Sequence, residues 1–247
     1  MRRPMADRPR FLVTAGNTRE MIDRVRDWGN VFTGNTGYAI ARALADVGDV
    51  HLLTSNRAHL EALGREDGPI RASGFVSHAD LAAALTAMLS VNRYDGVFMT
   101  AAVADYAPAG VYQIVERKPA EGGGEVWHVR DVSAAKVKSA YDAIAFVGTR
   151  TRKLVDLFRT EWGHRGLLVK FKLEVGIDAE ELVRVGQQSR AASGADFLVA
   201  NTLDMVDGDN AGAFLLGEGA QDWVARADLP RRLARLAREW VGSHRPT

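Results

Sequence analysis

The sequence predicts an α/β protein with a single doubly wound, mostly parallel sheet and a protruding β-hairpin arm. Three observations carry that expectation. Short apolar runs alternate with segments of helical periodicity over most of the 247 residues, the pattern of crossover units in a parallel sheet. Polar loops rich in small residues follow two of those runs, where such a sheet binds its ligands. Between about 107 and 150 the alternation gives way to two strand-like runs flanking a glycine turn, which reads as an extended hairpin.

Residues 1–9, with Arg2, Arg3 and Arg8 among two prolines, form a basic lead-in expected to be disordered, and 10–247 is expected to be one domain. FLVT (11–14) is a short buried strand, and Gly16, Asn17 and Thr18 make a polar turn at its carboxyl end. From Thr36 onward, Tyr38, Ile40, Ala41, Leu44 and Ala45 share one helical face. VHLLT (50–54) is the second strand, followed by a helical segment at 57–64 and a connection containing Gly and Pro. Ser77-His78-Ala79-Asp80 starts the next helix, with His78 in its first turn, and YDGVFMT (94–100) is the third strand. The arm comprises VYQIV (111–115), a turn at 120–125 and VWHV (126–129), where His128 beside Trp127 reads as packing. A helix at 151–161, the strand LLVKFKL (167–173), a helix at 179–194 and the strand FLVA (197–200) resume the alternation. AFLLG (213–217) adds a strand, and 229–241 an amphipathic helix with its arginines on the solvated face.

Lys and Arg number 32 against 31 Asp and Glu, so no global field favours nucleic acid or an anionic membrane. Any phosphate binding is therefore local. The absence of cysteine excludes disulfides, thiolate metal sites and a cysteine nucleophile, and fits a reducing compartment. No apolar run approaches the roughly 18 residues of a membrane span, and the amino terminus lacks the apolar core of a signal peptide. The expectation is a cytoplasmic protein with small-molecule partners, no nucleic acid and no membrane.

The chain is organised around residues 26–44, where Thr33, Gly34, Asn35, Thr36 and Gly37 run into a helical pattern. Glycines let backbone N–H groups approach a ligand, and a helix N-terminus favours an anion. The same glycines serve tight strand-to-helix packing equally well. The loop AAVADY (101–106) ends a neighbouring strand on the same edge, and its one acid, Asp105, is placed either to hold Mg²⁺ against nucleotide phosphates or to cap a turn. Lys136 and Lys138, at the base of the arm, would share a face if extended and could close over a phosphate. Phe171 offers either an aromatic wall for a base or a core side chain.

TAGNTREMID, RDWGNVFTGNTG, AAVADY, KVKS, FKLE and VANTLD occur in this order, and over about residues 11–217 the series resembles the phosphopantothenate-cysteine ligase (phosphopantothenoylcysteine synthetase) family in its stand-alone form. The resemblance implies a Rossmann-like fold and a step of coenzyme A biosynthesis. CTP or ATP activates the phosphopantothenate carboxylate as an acyl-nucleotidylate with release of pyrophosphate, and the cysteine amine then displaces the nucleoside monophosphate. It implies catalytic roles for Asn30, at the activated intermediate, and Lys136, facing the charge that gathers on the phosphorus and pyrophosphate. Nucleotide contacts are implied for Gly16, Thr33, Gly34, Ala101, Ala102, Asp105, Tyr106, Lys136 and Phe171. Substrate contacts are implied for Arg26, Asn30, Ala101 and Ala102, with Arg26 reaching across a homodimer interface; the expected Mg²⁺ residue is the Asp105 read from its own loop. Many bacterial members are fused to a flavin-dependent decarboxylase; this chain contains no such half, so no flavin is expected.

The chain departs from the family pattern at Asn17, in place of the second glycine of G-G-T, at Met21, where proline is common, and at Asn35, where lysine or arginine often stands. The arm is longer than the pattern, which makes Lys118 and Lys138 rivals of Lys136. Two other functions compete. An NAD(P)-dependent reductase would use the glycine loop as a dinucleotide cradle, although T-G-N-T-G is not G-x-G-x-x-G. A non-catalytic relative would bind pantothenate derivatives without turnover.

Overall fold

Strand β1 (Arg10–Ala15) is buried from Phe11 to Ala15, as a run of mostly apolar residues must be when helices cover both faces of a parallel sheet. The computed structural model describes residues 8–208 and 211–244, so most of the basic lead-in lies outside the described residues. After β1 come β2 (Arg19–Met21), β3 (Asp27–Gly29), α1 (Asn35–Leu44), β4 (Asp49–Thr54), α2 (Arg57–Leu63), β5 (Ile70–Gly74), α3 (His78–Val91) and β6 (Gly96–Met99). The arm contains β7 (Tyr106–Pro119), β8 (Glu125–Asp131) and β9 (Ile144–Arg150). The chain closes with α4 (Leu154–Thr160), β10 (Leu167–Glu174), α5 (Ala179–Ala192), β11 (Phe197–Thr202), β12 (Gly212–Gly217), β13 (Ala220–Ala225) and α6 (Leu229–His244).

The main sheet has eight strands in the order β13-β12-β11-β10-β6-β1-β4-β5. The run from β11 to β5 is parallel, and β12 and β13 are antiparallel additions. From β1 the chain winds outward through β4 and β5, then returns to lay β6 on the other side of β1. That reversal opens a crevice at the carboxyl ends of β1 and β6. One face buries Phe11, Val13, Ile40, Leu44, Val169 and Leu233, joining the sheet to α1 and α6. The other buries Leu12, Leu81, Leu85, Phe158 and Leu168 beneath α3 and α4. Helix α3 starts where expected because Ser77 and Asp80 form a reciprocal capping box, satisfying donors that the first turn leaves open.

Five strands go beyond the sequence expectation. Strand β5 occupies the stretch read as a connection, and β13 extends the opposite edge. Both are edge strands with little buried apolar surface, so neither carries the apolar run that marks a central strand. The glycine loop does not follow β1 directly, because the antiparallel pair β2–β3 intervenes. The arm is a three-stranded antiparallel sheet, β8-β7-β9, rather than a two-stranded hairpin. Strand β9 is the return of the chain, pairing from Tyr106↔Arg150 to Gln113↔Ile144. His128 lies on β8, which is exposed along its whole length, rather than in packed surroundings.

Candidate active site

Two loops at the switch point are stitched together by backbone and threonine hydrogen bonds. Ala102 N–H donates to the Gly16 carbonyl at 2.9 Å and Thr18 N–H to the Ala102 carbonyl at 3.1 Å. The buried Thr18 hydroxyl accepts from Ala104 N–H at 2.8 Å, and Thr14 Oγ1 accepts from Ala101 N–H at 3.1 Å. From the arm's base, Thr151 donates its hydroxyl to the Ala104 carbonyl at 2.6 Å and its N–H to the Asp105 carbonyl at 2.9 Å. The loop 101–105 is thus fixed before any ligand arrives.

The glycine loop closes on this platform through backbone-to-backbone approach. Gly34 has φ +81°, and a Cβ there would lie 2.1 Å from the Gly16 nitrogen. At Gly37 a Cβ would lie 2.2 Å from Thr100 Oγ1 and 2.8 Å from the Ala15 Cβ. The glycines allow this packing, and the packing brings the start of α1 over the crevice. No side chain caps α1 and its first turn carries no acid, so its N–H donors remain available to an anion.

The resulting cleft, about 260 Å³, has the glycine loop and Thr100–Ala102 on one side and Phe171, Leu173, Val199 and Leu229 on the other. The structure brings Gly16, Thr33, Gly34, Ala101, Ala102 and Phe171 together in its walls. Asn30 is adjacent: its amide donates to the Ala102 carbonyl at 3.3 Å, and its own carbonyl accepts from the Asn17 side chain. Asp105, Tyr106, Arg26 and Lys136 are not among the lining residues. Asp105 and Tyr106 are exposed at the loop's far end and the foot of the arm.

Arg26 is occupied within its own chain. Its guanidinium pairs with Asp23 and donates to the Val137 carbonyl at 2.7 Å, while Asp23 accepts from Val137 N–H at 3.1 Å. The Arg26 guanidinium, with the backbone N–H groups of Val25, Val137 and Arg26, outweighs burial and holds the Asp23 carboxyl well below the usual carboxylate range. Arg24 N–H adds a bond to the Ala135 carbonyl at 3.0 Å. The segment 135–137 is therefore pinned to the β2–β3 turn, in an irregular rather than an extended conformation. Val137 is buried and Lys136 and Lys138 are exposed on either side of it. Lys118, by contrast, sits near the arm's tip, paired with Glu116 at 3.0 Å.

The departures at Asn17 and Asn35 have local structural uses. The Asn17 amide holds the Asn30 carbonyl, and its backbone N–H donates to Ser55 Oγ at 2.9 Å. Asn35 Oδ1 lies 3.0 Å from His59 Nε2, and that buried imidazole stacks on Tyr38 with ring centroids 4.4 Å apart. Burial pushes the His59 pKa down, which favours the neutral ring beneath the glycine loop. Nothing in the structure explains Met21, which is exposed.

Sequence reasoning did not select Lys172, Asn201 or Arg226, which also line the cleft. The first two stand inside FKLE and VANTLD, so those motifs were the available signal. Arg226 follows β13 in a turn with no motif around it.

Residues 6–122 match the family model described as DNA/pantothenate metabolism flavoprotein C-terminal domain. The chain is 25% identical over 229 residues to the coenzyme A biosynthesis bifunctional protein CoaBC of Thermococcus kodakarensis, covering 93% of this chain and 48% of that protein. It is 39% identical over 137 residues to the CoaBC protein of Mycolicibacterium smegmatis, covering 53% of this chain and 31% of that protein. It thus spans less than half the length of these relatives. A crystal structure of the DNA/pantothenate metabolism flavoprotein of Streptococcus pneumoniae superposes with a TM-score of 0.75 at 24% identity, covering 96% of this chain and 100% of that one. A Cab2 variant in complex with phosphopantothenate-cysteine superposes with a TM-score of 0.64 at 15% identity, covering 95% of this chain and 88% of that one. Residues 6–122 thus resemble the DNA/pantothenate metabolism flavoprotein C-terminal domain family, and the chain shares the fold of these solved structures.

Proposed function

We propose that this chain joins phosphopantothenate to cysteine in the cytoplasm, activating the carboxylate with CTP or ATP as an acyl-nucleotidylate. The observation that carries the reading is the meeting of the glycine loop, Ala101–Ala102 and the Asn30 amide at one crevice. Its uncapped helix start supplies donors for phosphate oxygens, and Phe171 supplies a flat apolar wall for a base. At about 260 Å³ the cleft is small for a ligand of two parts, so the pantothenate arm would leave it along the Ala102–Asn30 side. The CoaBC relatives and the Cab2 complex support the same assignment by likeness.

Lys136 belongs to this proposal as an exposed cation at the arm's base. It is exposed and has no partner among the described residues, whereas Lys118 is engaged by Glu116. Asp105 suits Mg²⁺. Among the described residues no cluster of three or more His, Cys, Asp or Glu exists to cage a metal, and Mg²⁺ bound to nucleotide needs only one or two protein carboxylates beside the phosphates. Such an ion would offset triphosphate charge; the chain's own part is to present the Asp105 carboxylate on a loop anchored by Thr151.

A homodimer completes the reading. The strand register places Ile114, Trp127, Val129 and Val147 on one face of the arm, and the last three are 45–47% exposed. A patch of that kind on a projecting sheet favours burial against a second copy. Arg26, still 43% exposed beside its contacts to Asp23 and Val137, would then meet the phosphate of substrate bound to the other copy.

The test is pyrophosphate release from phosphopantothenate with CTP or ATP, with and without cysteine. Release limited to about one turnover without cysteine and continuous with it is expected. No release with any nucleotide would refute the ligase reading.

A further inference from the structure

The two sides of the cleft differ in chemistry. Toward β1 it is lined by the glycine loop and Thr100, and toward β10–β12 by Phe171, Leu173, Val199, Met205, Ala213 and Leu229. Phosphates suit the first and a base the second. In the apolar half three polar side chains remain. Lys172 pairs with Glu174 at 2.9 Å, and the Asn201 amide donates to the Thr202 carbonyl at 3.2 Å. Arg226 is fixed by its backbone N–H, which donates to the Ala211 carbonyl at 2.9 Å, and its guanidinium donates to Asp207 at 3.0 Å. Asp207 is 93% exposed and lies outside the lining, whereas Arg226 is within it. Arg226 therefore lines the cleft while its guanidinium reaches a carboxylate outside that lining.

We infer that Arg226 and Asp207 read the edge of the nucleotide base, selecting bases with a distal amino group, cytosine or adenine, over uracil and guanine. The inference rests on the proposed nucleotide site. With phosphates at the glycine loop and ribose behind them, the base points its distal substituent toward the rim. In cytosine that substituent is the exocyclic amino group, which donates to Asp207, while the ring nitrogen and O2 accept from Arg226. Uracil instead presents a carbonyl oxygen to the carboxylate, and two acceptors repel. Guanine does the same through O6.

The experiment compares binding and kcat/KM for CTP, UTP, ATP and GTP in the wild type, Asp207→Asn and Arg226→Gln, with inorganic tripolyphosphate as a probe lacking a base. The wild type should prefer CTP over UTP and ATP over GTP by about tenfold or more, the scale of one charge-assisted hydrogen bond. Asp207→Asn should collapse that preference, largely by improving UTP. Arg226→Gln should weaken CTP and UTP together while leaving tripolyphosphate unchanged. Equal use of all four nucleotides by the wild type, an Asp207→Asn loss shared equally by CTP and UTP, or weaker tripolyphosphate binding in Arg226→Gln would each overturn the inference. Base selection of this pattern without joining of phosphopantothenate to cysteine would uphold it and refute the ligase reading; failure of the wild type to bind any nucleotide would overturn both.

Discussion

Asn30 and Lys136 differ in the one property that separates two half-reactions. The neutral Asn30 amide is held against the 101–102 loop by the Ala102 carbonyl, which suits it to donate to the acyl oxygen as cysteine attacks. Lys136 is a cation on an exposed stretch anchored only through its neighbours, which suits it to the charge that gathers during nucleotide activation. Loss of one oxyanion donor costs about 3 kcal/mol, roughly a hundredfold in rate. Asn30→Ala should therefore form and accumulate acyl-nucleotidylate, while Lys136→Ala should hardly form it, as rapid-quench mass spectrometry with cysteine present would register. Activation at the normal rate in the Lys136 variant would transfer the role to Lys138, because Glu116 already holds Lys118.

At the level of elements, β10 does two things with adjacent residues: Phe171 lines the cleft and Lys170 is buried on the opposite face beneath α5. The Lys170 ammonium donates to the Ser189 carbonyl and hydroxyl, each at 3.0 Å, and to Ser193 Oγ at 3.1 Å. Burial pushes its pKa down from 10.5 to about 8. Below that value both folded and unfolded chains hold the proton, and the burial penalty is fully present. Between about 8 and 10.5 the unfolded chain keeps a proton the folded one has lost, so stability rises with pH across that window. The gain of wild type over Lys170→Met should grow by about 3 kcal/mol across it, measured by denaturant unfolding at both ends; a constant difference would show that the lysine is not desolvated.

The elements legible in the sequence were those whose burial is local in origin. Central strands such as FLVT and YDGVFMT are covered on both faces and so read as apolar runs. Strands β2 and β3 have three residues each and depend on contacts from Arg26 and Asp23 to Val137, far along the chain. No window of sequence carries that information. The cleft shows the same division. Gly34, Ala101 and Phe171 stand in motifs, whereas Arg226 joins them only because α6 and β13 fold back beside β12.

Over the whole molecule, the arm stands out because β8 is exposed along its whole length. A charge at its centre should separate two copies: Val129→Glu is expected to convert a dimer to a monomer in sedimentation while leaving the main sheet folded. A monomeric wild type would remove both the interface and the trans role of Arg26. In the proposed reaction one crevice first joins the substrate carboxylate to the nucleotide's α-phosphorus and then passes the acyl group to an amine. That route moves one carboxylate oxygen onto phosphorus. Turnover of phosphopantothenate labelled with heavy oxygen in its carboxylate should place one labelled oxygen in the nucleoside monophosphate, read by mass spectrometry. Label in inorganic phosphate, or none in the nucleotide, would contradict the account.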